Sequence, residues 1–267
     1  MADVQLNFSG IELAFMGLPA SFEKLMSVEW APFLTAATGD PVLRVRVEVD
    51  DPAEKEAPFD PQAMTLRIAG GEGEFSIPGG HAWLERSGSV RVRVDSAGRE
   101  SFFNMVNLVT ASLAVRLPSR GAALVHAACL VLNDRAHLLI GSEGAGKSTW
   151  AHLGQGGGAM ALSDDIVLVD GSEVLGSPFR SRHLPGRMIR GRWPIASLLF
   201  PRHGSPAARS PANRLLASAR LVANLPFISA AVEQDADVTA FTDRFVTAIP
   251  CYELTFGLDP SFLTLLD

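Results

Sequence analysis

From Val42 to Val49 the chain alternates, with Leu43, Val45, Val47 and Val49 separated by Arg44, Arg46 and Glu48. A repeat of two puts one set of side chains on each face of an extended segment, so this run predicts a half-buried strand. Ser89 to Asp95 repeats the pattern, and Met64 to Ile68 gives a shorter third case. Between these strands, 50–56 and 70–73 carry the Asp, Pro and Gly of turns and loops. Asp50 and Asp51 therefore read as a solvated turn rather than an acid–base pair. The first hundred residues are β-rich and show no catalytic constellation.

The period then changes. Phe102, Val106, Val109, Leu113 and Leu117 recur at near-helical spacing and predict a helix over 102–117, stopped by Pro118. This marks a boundary between a β-rich region, 1–119, and an α/β core, 120–267. In the core, Ala122–Leu132 and Ala136–Ile140 are apolar strand candidates joined by Asn133-Asp134-Arg135, turn chemistry suited to a tight antiparallel hairpin. Gly154 to Gly158 should end a short helix that begins at Lys147. Strands are expected at 159–162 and 166–169, a helix behind Pro194 over 193–200, and helical structure over 209–223. The run 247–256 reads as a closing strand, with Pro250 suggesting an edge or a bulge.

The chemistry lies at the end of the second hairpin strand. Gly141-Ser142-Glu143-Gly144-Ala145-Gly146-Lys147-Ser148 is a complete G-x-x-x-x-G-K-[ST] loop, here set between a predicted strand and a predicted helix. Glycines allow the backbone to turn its N–H groups inward on phosphate oxygens. Lys147 would reach the outer phosphates, Ser148 would ligate Mg²⁺, and the helix start through Thr149 adds its positive dipole end. Downstream, Asp164-Asp165 follows an apolar strand and Ser163. Phosphoryl transfer needs positioned phosphates, Mg²⁺ and a group that orients or deprotonates the acceptor. Two adjacent carboxylates can divide those tasks if the strand ends there. A surface turn, or one metal-binding Asp with the other idle, is the alternative. Asp170 is a rival metal ligand, though Asp170-Gly171 reads better as a turn.

Composition narrows the class. The 267 residues are 47% hydrophobic and 19% charged, in keeping with a globular protein. The longest apolar run, 122–132, is interrupted by His126 and falls short of the roughly 20 residues of a membrane span. No secretory signal is expected at Met1–Leu6. Cys129 and Cys251 make no disulfide framework, and a reducing cytoplasm is the simpler setting. Net charge is −6, all of it carried by 1–119. From Val174 to Val232 there is no Asp or Glu, yet Arg180, Arg182, Arg187, Arg190, Arg192, Arg202, Arg209, Arg214 and Arg220 occur there with His183 and His203. Arginine forks suit phosphates and carboxylates. This stretch is either an anion-facing region beside the loop or a solvated surface with arginines paired to the acidic first part. The overall charge and the lack of a binding motif argue against nucleic acid. No Asn-Lys-x-Asp guanine-reading motif is present.

Leu124-Val125-His126-Ala127-Ala128, the phosphate loop and Leu162-Ser163-Asp164-Asp165 together resemble the C-terminal domain of HPr kinase/phosphorylase and its relatives, among them serine kinases of lasso-peptide biosynthesis. The resemblance covers roughly 120–260, including Pro250-Cys251-Tyr252-Glu253-Leu254. It implies a P-loop-containing, phosphoenolpyruvate carboxykinase-like mixed sheet core behind the β-rich region. It implies ATP on Gly141–Thr149, Mg²⁺ on Ser148, and His126 near the transferred phosphate. Of the acidic pair one is base and one lies near the metal; Asp164 is taken as base and Asp165 as metal ligand. Where the family has Glu-Ile-Arg-Gly, this chain has Met188-Ile189-Arg190-Gly191, so HPr itself is not implied as substrate. Arg180, Arg182 and Arg190 are the candidates for holding phosphates or an anionic acceptor. The leading expectation is a kinase for a hydroxyl on a protein or peptide. A small-molecule kinase and a weakly catalytic nucleotide-binding regulatory module stay open, as does homo-oligomerisation.

Overall fold

Each alternating run of the first part forms a strand of one sheet in the computed structural model, which describes residues 3–36, 39–50, 57–60, 63–70, 72–179, 184, 188–227 and 236–266. The chain divides into two units, Met1–Leu117 and Pro118–Asp267. The first contains β1 (Val4–Phe8), β2 (Ile11–Met16), α1 (Ala20–Glu29), β3 (Leu43–Val49), β4 (Thr65–Ala69), β5 (Glu72–Ile77), β6 (Gly80–Leu84), β7 (Ser89–Val94) and α2 (Arg99–Arg116). Its sheet runs β1-β2-β3-β7-β6-β5-β4. β3 is parallel to both neighbours and the remaining pairs are antiparallel. Val45, Val47, Val90, Val92 and Val94 are buried, while Arg44, Arg46, Arg91 and Arg93 are exposed, the alternation read from sequence. α2 packs on β5–β7 through residues such as Phe102, Met105 and Leu108. Asp50 pairs with Arg93 at the surface, as a turn residue would; Asp51 to Glu56 lie outside the described residues. β1, β2 and α1 were not anticipated. β2 is buried along nearly its whole length, so it carries no alternation to read.

The second unit contains β8 (Ala122–Leu132), β9 (Arg135–Ile140), α3 (Lys147–Gly156), β10 (Met160–Ser163), β11 (Ile166–Asp170), β12 (Glu173–Leu175), β13 (Arg192–His203), β14 (Ala208–Pro211), α4 (Arg214–Val222), α5 (Ala236–Ala248) and β15 (Cys251–Phe256). The hairpin forms as expected: Asn133 and Asp134 have φ of 50° and 57°, left-handed values tolerated by these two residue types, and β8 and β9 are antiparallel. The sheet path is β10-β8-β11-β12-β13-β15-β14, with β9 joining β8 to β13. β8 serves two partners along one edge. Its first half pairs with β11 and its second with β10, leaving the acidic pair at the junction. β13 is parallel to β9 and to β15, whereas the other pairs are antiparallel. Three neighbouring strands thus end on the edge where the chain leaves β9. The protein is mixed α/β, with one mixed sheet in each unit.

Three expectations need correction. Residues 193–200 form part of β13, not a helix. Ile195, Leu198, Leu199 and Phe200 are buried in a central strand between β9 and β15, and a strand covered on both faces shows no period that separates it from a buried helix. Residues 209–223 divide between β14 and α4, because Asn213 caps the helix by accepting from Leu216 N–H at 3.2 Å. Pro250 lies outside β15, which begins at Cys251 and sits between β13 and β14 rather than at an edge; Thr247 and Ala248 belong to α5. Among the described residues no helix is long and apolar enough to cross a membrane. Cys129 and Cys251 are free thiols, raised above the ordinary range by burial.

Candidate functional site

The loop between β9 and α3 is shaped by what lies beneath it. Gly141 faces Ala145 and Pro201: a Cβ there would stand 2.8 Å from Ala145 Cβ and 2.9 Å from Pro201 Cγ. Gly146 caps α3 with φ of 91°, and its missing Cβ would meet Phe256 at 3.2 Å and His203 at 3.3 Å. Both glycines are required, one by close approach and one mainly by its left-handed backbone. Lys147 folds back so that Nζ donates to Gly141 O at 2.8 Å and Ser142 O at 2.9 Å. Burial lowers its pKa, against the opposing pull of Asp165, Glu143 and Asp164 in that order. Ser142, Glu143, Gly144, Ser148 and Thr149 are exposed, so the loop opens to solvent.

β8 and the β10–β11 junction bring the remaining chemistry. His126 Nε2 lies 3.5 Å from Asp165 Oδ1, with 34% and 52% of the two side chains exposed. Burial and Lys147 lower the His126 pKa below its usual 6.5, while Asp165 and Glu143 oppose this, a balance that favours the neutral imidazole. Desolvation, reinforced by Asp164, raises Asp165 despite His126 and Lys147. Its partial exposure means this is the desolvation of a surface recess rather than of the interior. Asp164, by contrast, is 4% exposed. Ser163 holds the junction: its hydroxyl accepts from Asp165 N–H at 3.2 Å and lies 3.0 Å from the carbonyls of Ile166 and Phe179. Ala127 N–H donates to Asp165 O at 3.0 Å, and His126 N–H to Asn224 O at 2.7 Å.

The loop residues Gly141–Thr149, His126 and Asp165 therefore gather at one place, with Asp164 beneath. Arg180, Arg182, His183 and Arg187 lie outside the described residues. Of the other arginines, Arg192 pairs with Asp170 and Glu173 at 2.8 Å each. Arg202 and Arg220 pair with Glu253 at 2.5 and 3.4 Å, and Arg209 stacks 4.6 Å over Tyr252. These partners lie in the second unit, outside the acid-free stretch, not in the acidic first part. Asp170, held by Arg192, closes a turn with Gly171 at φ 57°. Pro201, Phe256 and Asn224 were not singled out from sequence as site residues, His203 was named only within the arginine-rich stretch, and Ser163 only as the residue before the acidic pair. The alternation around β13 and β15 gives no sign that their ends meet the loop.

Glu253 yields a pH prediction. Hydrogen bonding to Arg202, with Arg220 nearby, holds its carboxyl below the ordinary range. A depressed folded-state pKa stabilises fully above the unfolded value and is lost as pH falls through the folded one. Glu253→Gln should thus lower the unfolding free energy from urea denaturation at neutral pH by under about 1 kcal/mol, because the arginines are substantially exposed. The difference from wild type should close in acid, and a difference constant with pH would rule the linkage out.

No protein-family model and no curated protein matches the chain.

Proposed function

We propose that the second unit is an HPr-kinase-like phosphotransferase with a phosphoenolpyruvate carboxykinase-like P-loop core, which transfers the terminal phosphoryl group of ATP to a hydroxyl of a protein or peptide. The observation that carries this is the placement of the His126–Asp165 pair beside the loop that holds Lys147. A phosphate-binding loop alone needs no such neighbour, whereas transfer does.

The residues present fit the ligands. Lys147 is held by two loop carbonyls, and two glycines let the loop lie close against Pro201 and Phe256. Mg²⁺ bound with phosphates needs only one or two carboxylates from protein. Ser148 and Asp164 would hold it, and it would neutralise charge on the phosphate oxygens. Exposure reverses the roles expected of the acidic pair: an acceptor arriving from solvent reaches Asp165, not the buried Asp164. Asp165 takes the hydroxyl proton as the acceptor oxygen bonds to the γ-phosphorus and the bond from that phosphorus to the departing ADP breaks. His126, 3.5 Å away, orients that carboxylate. Lys147 and the loop N–H groups stabilise the transferring oxygens. The open loop favours a macromolecular acceptor over a small molecule enclosed in a pocket.

The test is transfer from labelled ATP with Mg²⁺ to proteins of the native cell extract, with Lys147→Ala as control. Wild type should label a discrete acceptor on serine or another hydroxyl, and Lys147→Ala should lose both ATP binding and labelling. ATP binding that alters partner affinity without any labelling would favour the regulatory module instead.

A further inference from the structure

The parallel strands give the loop a second flank. β9, β13 and β15 end on one edge, and ligands of α/β sheets bind outside the carboxyl ends of such strands. Towards β8 and β11 the loop meets His126 and Asp165. On its other side it meets the ends of β13 and β15, where His203 and Phe256 stand opposite in register and both approach Gly146. His203 shares a strand face with Pro201, which lies under Gly141. Its ring is exposed. Two residues beyond Phe256 comes Leu258, which is 86% exposed, the most exposed large apolar side chain among the described residues.

We propose that His203 and Leu258 form the platform on which the base of the bound nucleotide rests. This rests on the nucleotide reading above and gives it a polarity. A nucleotide has a charged end and a flat, largely apolar end. The charged end belongs with Lys147 and the acidic pair on the β8–β11 flank. The base is then directed to the opposite flank, which offers an imidazole face and an uncovered leucine. Phe256 is itself buried under the loop and supports the platform from below. The carboxylate nearest in sequence, Asp259, accepts from Ser261 N–H at 2.8 Å and caps the following turn. Stacking on such side chains tolerates different bases, because each has a π face.

The experiment measures the affinity of the full chain for ATP and for inorganic triphosphate, both with Mg²⁺, by calorimetric titration. Wild type should bind ATP more tightly than triphosphate. Leu258→Ser should weaken ATP about tenfold and leave triphosphate unchanged, and His203→Ala, which also removes part of the floor under Gly146, should weaken ATP about tenfold more than it weakens triphosphate. His203→Phe, which keeps a flat ring, should preserve the preference for ATP. Both side chains are exposed, so folding is not at stake. Equal binding of ATP and triphosphate by wild type, or variants that weaken both ligands in parallel or neither, would overturn the platform alone. Binding of neither ligand by wild type overturns the nucleotide reading and the platform with it.

Discussion

Asp165→Asn should lower phosphoryl transfer by about a hundred- to ten-thousand-fold, the range of a lost general base, while affinity for Mg²⁺·ATP stays near wild type. The asparagine keeps the shape of the side chain and its place beside His126, but cannot take a proton. Asp164→Asn should behave differently. Beneath the surface and cut off from an incoming hydroxyl, it should raise the Mg²⁺ concentration needed for half-maximal rate more than it lowers the rate at saturating metal. Steady-state transfer measured across a Mg²⁺ series separates the two. If Asp164→Asn stops transfer at every Mg²⁺ concentration and Asp165→Asn merely shifts the metal requirement, the roles return to the assignment suggested by family resemblance. If neither variant changes the rate, the acidic pair has no part in the chemistry.

The largest effect on stability is expected from Trp150→Ala, at about 3–5 kcal/mol for an aromatic removed from a core. Trp150 is fully buried in the first turn of α3. Its ring stacks on Phe262 at 5.6 Å, and Phe262 meets Phe256 edge-on at 5.9 Å. This aromatic series fastens the helix behind the phosphate loop to the end of β15. Natural domains have only about 5–15 kcal/mol to lose, so the second unit of the variant should be close to unfolding. Urea denaturation followed by far-ultraviolet circular dichroism reads the loss directly. Trp150→Phe should cost much less. It retains a ring, and it removes an indole N–H that is buried without an acceptor among the described residues. A loss below about 1 kcal/mol for the alanine variant would show that the site collapses without harm.

What was legible in the sequence was local. The loop between β9 and α3, the Asn133-Asp134 hairpin and the Ser163–Asp165 break each occupy a few consecutive residues whose types mark a change of backbone direction. The half-buried strands β3 and β7 were legible because one face meets solvent and the other does not. β2 and β13 lack that contrast. The arginine-rich stretch misled in part, because composition cannot show that Glu253 lies within reach of Arg202 and Arg220. The floor of the loop was hidden for a related reason. Pro201, His203 and Phe256 arrive through parallel pairing between strands far apart in sequence, and no local period encodes such a register. The difference in exposure within the acidic pair also needed the fold, since adjacent aspartates look alike until one is buried.

The parallel trio also sets a timetable for synthesis. A ribosome releases the phosphate loop well before β13, and β13 well before β15. Until β15 has left the exit tunnel and paired with β13, Gly146 has no Phe256 beneath it. Chains domain by domain can begin folding while still being made, and the first unit, complete at Leu117, is free to do so. The proposed nucleotide site is not. A nascent or truncated chain that ends before Cys251 carries the whole G-x-x-x-x-G-K-[ST] motif and still lacks the surface that shapes it.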